Sequence, residues 1–272
     1  MPDVRVTAEE VEAAERVYRE GLDVLCASGV PFLVGGAYAF AHYTGIQRFT
    51  KDFDVFIQPA DVEPVLQRFA AAGFVIERPY PHWLAKARRG DDFMDLIYSS
   101  GNGVARVDEG WFEHAVEAVV LGRRLRVVPL EEMLWSKSFI MERERYDGAD
   151  VVHLLRARAA SLDWKRLLGR FGGYWRVLFS HVVLFGFVYP GERASIPQWV
   201  LDDLIARFEG ELRTPPADHR VCQGTILSRE QYLHDVERWG YHDARVFPRG
   251  HMSADDTATW TAAIGQDKQP GR

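Results

Sequence analysis

Residues 31–57 read PFLVGGAYAFAHYTGIQRFTKDFDVFI, and the fold turns on how this stretch is parsed. An apolar run, PFLV, stops at Gly35-Gly36, as a short buried strand ends at residues that tolerate unusual backbone angles. AYAFAHYT then predicts a short helix ended by Gly45, IQRFTK a loop, and DFDVFIQ a second strand. In a strand, side chains two apart share a face. Asp52 and Asp54 therefore project together, while Phe53, Val55 and Ile57 point to a core. Two neighbouring carboxylates repel, and each resists ionisation unless a cation lies between them. Hard divalent cations such as Mg²⁺ take oxygen ligands from one or two carboxylates plus substrate phosphates.

Downstream, DDFMDLIY places Asp95 between apolar neighbours, where a carboxylate is costly unless paired or metal-bound. A strand there beside DFDVFI brings Asp95 to the same cation. Asp91 and Asp92 follow RRG and are read as turn residues. Upstream, the Gly35-Gly36 pair permits close approach of backbone to a ligand, and the free N–H groups of the next helix suit phosphate oxygens.

Around this centre the pattern extends both ways. Thr7 and Glu10 form a capping box opening an amphipathic helix that ends near Ser28. Pro59 begins another, with Val62, Val65, Leu66 and Phe69 on one face. FVIER, HWLAKAR and DFMDLIY read as strands, and AVVLGRRLRVVP as a hairpin about Gly122. Beyond Pro129 the periodicity is helical, through LEEMLWSKSFIMERER, GADVVHLLRARA, LDWKRLLGRF, the apolar stretch 174–189 and PQWVLDDLIARFEGEL. Ser228 and Gln231 suggest a second capping box, with Tyr232, Leu233, Val236 and Trp239 as a buried face. Residues 253–272 lack a pattern and are expected to fray. The predicted fold class is α/β (α+β): a mixed sheet flanked by helices, then an all-helical part. The expected domains are 1–129, 130–250 and a tail at 251–272.

Composition agrees with a globular chain: 272 residues, 47% hydrophobic, 26% charged. A net charge of -6 excludes a global basic field that would draw the protein to nucleic acid or anionic membrane. Two cysteines cannot make a Cys-rich zinc site, and Cys26 reads as a small buried hydrophobe. The N-terminus shows no signal-peptide pattern, and 174–189 carries Arg176 and His181 and is short for a membrane span, so it reads as a buried helix. The expected location is the cytoplasm, with no membrane partner. His42, Trp164, Tyr174, Trp175 and Phe179 are read as packing residues, and RRLR at 123–126 as a solvated strand.

The combination of a strand ending in Gly-Gly, a helix, then Arg-Phe-Thr-Lys-Asp-Phe-Asp and a later apolar-flanked Asp resembles the DNA polymerase beta-type nucleotidyltransferase superfamily. Within it, the GG…RFTKDFDVFI form is most similar to the bacterial abortive-infection type nucleotidyltransferases, including toxins of toxin–antitoxin systems. The superfamily pattern often has Ser where this chain has Gly36. The resemblance implies an enzyme that moves a nucleoside monophosphate from an NTP to a hydroxyl acceptor: an RNA 3′ end, a protein or a small molecule. It implies that Asp52 and Asp54 bind two Mg²⁺ ions, with Mn²⁺ as a substitute, and that Asp95 holds the catalytic metal and helps deprotonate the acceptor. Gly35 and Gly36 would meet the phosphates, Arg48 and Thr50 the phosphates or acceptor, and Lys137 the triphosphate, oriented by Asp147 and Asp150. A cognate antitoxin is the implied protein partner. The other readings are a nucleotide-binding or regulatory protein without activity, and an antitoxin-like binder of partners.

Overall fold

The computed structural model describes residues 7–48, 50–216 and 220–262. They divide into two compact units, Met1–Gly101 with Arg106–Pro129, and Asn102–Ala105 with Leu130–Arg272.

The first unit begins with α1, Ala8–Ser28. The Thr7 hydroxyl accepts from the Glu10 N–H at 3.2 Å, and the Glu10 carboxylate accepts from the Thr7 N–H at 2.7 Å, so the capping box is complete. Then come β1 (Leu33–Val34), α2 (Gly36–Thr44), β2 (Asp52–Phe56), α3 (Val62–Ala71), β3 (Val75–Tyr80), β4 (Leu84–Arg89), β5 (Asp92–Ile97), α4 (Glu109–Glu113), β6 (Val116–Val120) and β7 (Arg123–Val127). The seven strands form one sheet in the order β3-β4-β5-β2-β1-β7-β6. Strands β2 and β5 are parallel, as are β1 and β7, and the remaining neighbours are antiparallel. The β6–β7 turn has φ +49° at Leu121 and +79° at Gly122, the two left-handed residues a tight hairpin needs.

The alternation in DFDVF decides which face is buried. Phe53 and Val55 are fully enclosed. The rings of Tyr18 from α1 and Tyr38 from α2 lie 5.2 and 4.9 Å from that of Phe53. Removing the Phe53 ring would cost about 3–5 kcal/mol. On the other face Phe56 stacks on Trp111 of α4, with ring centroids 5.2 Å apart.

The second unit contains α5 (Leu130–Ser138), α6 (Gly148–Arg158), α7 (Trp164–Phe171), α8 (Trp175–Val188), α9 (Gln198–Leu212), β8 (Val221–Cys222), α10 (Gly224–Leu227), α11 (Leu233–Glu237), β9 (His242–Asp243) and α12 (Ala254–Ala262). It is helical, with the addition of a parallel two-residue ladder of β8 on β9. One stretch, Trp164–Val188, has the length and apolar composition of a membrane span. It is interrupted by a 3-10 turn at Gly172–Tyr174, and Trp164, Leu168, Phe171, Trp175, Val182 and Phe185 are buried inside the unit.

Several expectations change. Asp92, read as a turn residue, opens β5, and the helix read over LEEMLWSKSFIMERER ends at Ser138. Cys26 is exposed, because the inward stripe of α1 runs through Ala14, Tyr18, Leu22 and Leu25. The stretch 174–189 is buried on one side, while Val183, Leu184, Phe187 and Val188 face outward. The Ser228 hydroxyl accepts from the Gln231 N–H at 3.1 Å, but it also donates to Glu142 at 2.6 Å, and a turn follows. The helix starts only at Leu233, and Trp239 is exposed. Finally, 254–262 is helical, capped by a 3.0 Å bond from the Asp256 N–H to the Ser253 hydroxyl. The expected fraying of 263–272 lies outside the described residues.

Candidate active site

The parallel register of β2 and β5 sets Asp54 directly opposite Asp95, and Asp52 opposite Phe93. Paired residues of neighbouring strands share a face, so the three carboxylates converge. Oxygens of Asp52, Asp54 and Asp95 all lie within 4.8 Å of one another. Asp52 and Asp54 are partly buried and Asp95 is 8% exposed. Burial raises the affinity of the Asp95 carboxyl for a proton. The Lys86 ammonium opposes that shift and the Asp52 carboxylate adds to it, leaving the group above the ordinary carboxylate range.

The glycines close one side. Gly35 donates its N–H to the Asp54 carbonyl at 2.9 Å. A Cβ on Gly35 would lie 2.2 Å from the Phe56 ring, so the backbone rests on that side chain. Gly36 has φ +51°, and a Cβ there would lie 1.7 Å from the Asp54 carboxylate. Backbone conformation and space therefore both demand glycine at 36. The first turn of α2 starts here, with N–H groups that have no partner four residues back.

Thr50 donates a short hydrogen bond from its hydroxyl to the Asp52 carboxylate. The Arg48 guanidinium lies 4.6 Å from the Phe40 ring centroid. Both residues line a cleft of about 580 Å³, which Tyr18, Tyr38, His42 and Val120 also line. Burial pushes the Tyr38 hydroxyl up to about 12, so Tyr38 stays protonated and uncharged at neutral pH.

Sequence reasoning did not single out Lys86. It stands on β4 opposite Asp95, its ammonium donates to the Asp95 carboxylate at 2.7 Å, and it lies 3.9 Å from the Phe93 ring centroid. The signal was present in the β4–β5 turn. With Gly90-Asp91 as a two-residue turn, Arg89 meets Asp92, and three steps out Lys86 meets Asp95.

In the helical unit, the Lys137 ammonium bridges two carboxylates, donating to Asp147 at 2.9 Å and to Asp150 at 2.8 Å. Arg145 also donates to Asp147, at 3.1 Å. Burial alone would raise the Asp147 pKa, but Lys137 and Arg145 outweigh it and hold the carboxyl below its usual range.

The donor set of the first unit suits a hard divalent cation: oxygen ligands only, from three carboxylates, with more negative charge than the neighbouring ammonium balances.

No family model and no curated protein matches this chain. Among solved structures it is similar to the antibiotic-resistance factor ANT(2'')-Ia, at 15% identity and a TM-score of 0.43, over 62% of this chain and 97% of that one. An antigenic nucleotidyltransferase-like protein from Paracoccidioides brasiliensis matches at 13% identity and a TM-score of 0.43, over 70% and 93%. JHP933 from Helicobacter pylori matches at 13% and 0.38, over 76% and 97%.

Proposed function

We propose that the protein is a metal-dependent nucleotidyltransferase, which moves a nucleoside monophosphate from an NTP to a hydroxyl acceptor. The observation that carries this reading is the convergence of Asp52, Asp54 and Asp95 on one face of the sheet. Asp52 and Asp54 would hold two Mg²⁺ ions with the triphosphate, and Asp95 would share the ion nearer the acceptor. When bound, the ions neutralise phosphate charge and favour in-line displacement at the α-phosphorus.

The chain's own groups set the geometry. The Gly36 backbone, held against Asp54, fixes one carboxylate and leaves room where a side chain would intrude. Thr50 fixes the rotamer of Asp52 through their hydrogen bond. Asp95 takes the acceptor proton on the oxygen that Lys86 does not hold. The acceptor oxygen bonds to the α-phosphorus, the bond from that phosphorus to the bridging oxygen breaks, and pyrophosphate leaves. Positioning and charge neutralisation supply the catalysis. The first turn of α2 receives phosphate oxygens, and Arg48 and Thr50, which line one cleft, are assigned to the phosphates or the acceptor. Lys137, oriented by Asp147 and Asp150, is assigned to the triphosphate.

We assign the chain to the abortive-infection branch on the stretch RFTKDFDVFI, with a cytoplasmic location and a cognate antitoxin as protein partner. Incubation of wild type and Asp52→Ala with Mg²⁺, each labelled NTP and a cell extract tests the activity. Label transferred by wild type alone supports it, and the size of the product names the acceptor as RNA, protein or small molecule. Equal transfer by both proteins defeats it. Co-expression with the neighbouring open reading frame, scored for relief of growth arrest, tests the antitoxin.

A further inference from the structure

The row that crosses the sheet at Asp54 runs Asp54, Asp95, Lys86, Glu77 over β2, β5, β4 and β3, each residue opposite the next. The neighbouring row runs Asp52, Phe93, Arg88. Glu77 is taken by Arg88, whose guanidinium donates to it at 2.9 Å, so that pair balances itself. The Lys86 ammonium is directed the other way, to Asp95 at 2.7 Å, and its side chain is 21% exposed. The Phe93 ring beneath it restricts the alternatives. Three carboxylates and this one ammonium leave a formal charge of about -2 on the cluster.

We propose that Lys86 is a resident counter-cation of the acidic cluster: it positions Asp95 while no metal is bound and repels an incoming metal, so that the site fills together with the nucleotide rather than before it. This rests on the metal-site reading above. An ammonium within hydrogen-bond distance of one ligand carboxylate sits a few ångströms from any ion that carboxylate binds, and like charges at that range oppose each other strongly even at high effective dielectric. The nucleotide brings its own negative charge, which offsets the repulsion. Lys86 is thus a positioning residue acting through Asp95, and its removal has an unusual sign: metal binding improves.

Mn²⁺ titration of the full-length chain, followed by the electron paramagnetic resonance signal of free Mn²⁺, tests this with and without a non-hydrolysable NTP analogue. Without nucleotide, Lys86→Met is expected to bind Mn²⁺ at least about tenfold more tightly than wild type. Lys86→Arg, which keeps the charge, is expected to stay near wild type. Mn²⁺ should also raise the melting temperature of Lys86→Met more than that of wild type, because the metal replaces the lost ammonium. Should Lys86→Met fail to fold without metal, Lys86→Gln, which keeps a donor to Asp95 without the charge, carries the same expectation. Equal or weaker Mn²⁺ binding by the uncharged variants, beside a wild type that binds Mn²⁺ with nucleotide, would overturn the role of Lys86. No Mn²⁺ binding by wild type even with nucleotide would overturn the metal site itself.

Discussion

Two clusters of buried charge can be set side by side. In the helical unit Glu132 is fully enclosed, and the guanidinium groups of Arg166 and Arg170 both donate to it, the latter at 2.8 Å. Arg166 also donates to Glu131 at 3.0 Å, so two acids face two bases. In the sheet unit three acids face one lysine. In the first cluster the formal charges cancel, although burial outweighs the two arginines and raises the Glu132 pKa, and one of its carboxylate oxygens is buried without a hydrogen-bond partner. The second has a surplus of negative charge, so its geometry is best satisfied by something that arrives. Closed charge arithmetic marks a structural cluster, and open arithmetic marks a site.

Neutralising one acid in each cluster should therefore give opposite outcomes. Asp54→Asn and Asp95→Asn are expected to lower nucleotidyl transfer by about 10³-fold or more, since several kcal/mol of metal stabilisation are lost. The melting temperature of Asp54→Asn should hold or rise, because repulsion is relieved, whereas Asp95→Asn also takes the partner from Lys86. Glu132→Gln should instead cost roughly 3–5 kcal/mol of stability in denaturant titration, as two arginines lose their partner. A destabilised Asp54→Asn with a stable Glu132→Gln would break the comparison. Gly36→Ala comes next in size. Its Cβ meets the Asp54 carboxylate and its φ is left-handed, so transfer should fall about 10²-fold, the typical cost of misplacing a reacting group by an ångström. Steady-state kinetics beside circular dichroism would check both.

The same contrast explains what was legible in the sequence. Strand alternation is local, so DFDVFI showed which residues face inward, and the requirement that Asp54 and Asp95 meet on neighbouring strands is satisfied by their register. The Lys86–Asp95 pair needed a hairpin register counted out from Gly90-Asp91, one step beyond periodicity. The region after Ser228 departs from its local pattern because Glu142, eighty-six residues away, engages the serine hydroxyl, a partner no local pattern reveals. The helix at 254–262 has a local signal too, the capping-box spacing of Ser253 and Asp256.

Lys137 offers an intermediate case, a lysine between two acids. Replacing it by Met should raise the KM for NTP about 10- to 150-fold through loss of one charge-assisted contact of roughly 1.5–3 kcal/mol. The acid limb of stability should change as well. The folded Asp147 pKa is depressed, so its stabilisation is present above the unfolded value near 3.8 and lost as pH falls through the folded value. In Lys137→Met the folded pKa lies closer to the unfolded one, so less stability is lost on acidification and the acid limb should flatten, visible in melting curves between pH 5 and about 3. An unchanged acid limb would show that Arg145 alone holds Asp147.

The smallest effect concerns His181, fully buried on α8, whose Nε2 lies 3.0 Å from the Ser138 carbonyl. Burial lowers its pKa below the usual 6.5, against a smaller opposing pull from that carbonyl. A base whose folded pKa is depressed is protonated more readily in the unfolded chain, so its contribution is intact above the unfolded value and erodes as pH falls below it. Between pH 7 and 5 this residue should cost on the order of 1 kcal/mol of stability. His181→Gln, which keeps a donor for Ser138 but does not titrate, should flatten that part of the profile while leaving nucleotidyl transfer at neutral pH unchanged. A profile equally steep in the variant would show that a group other than His181 sets this part of the pH dependence.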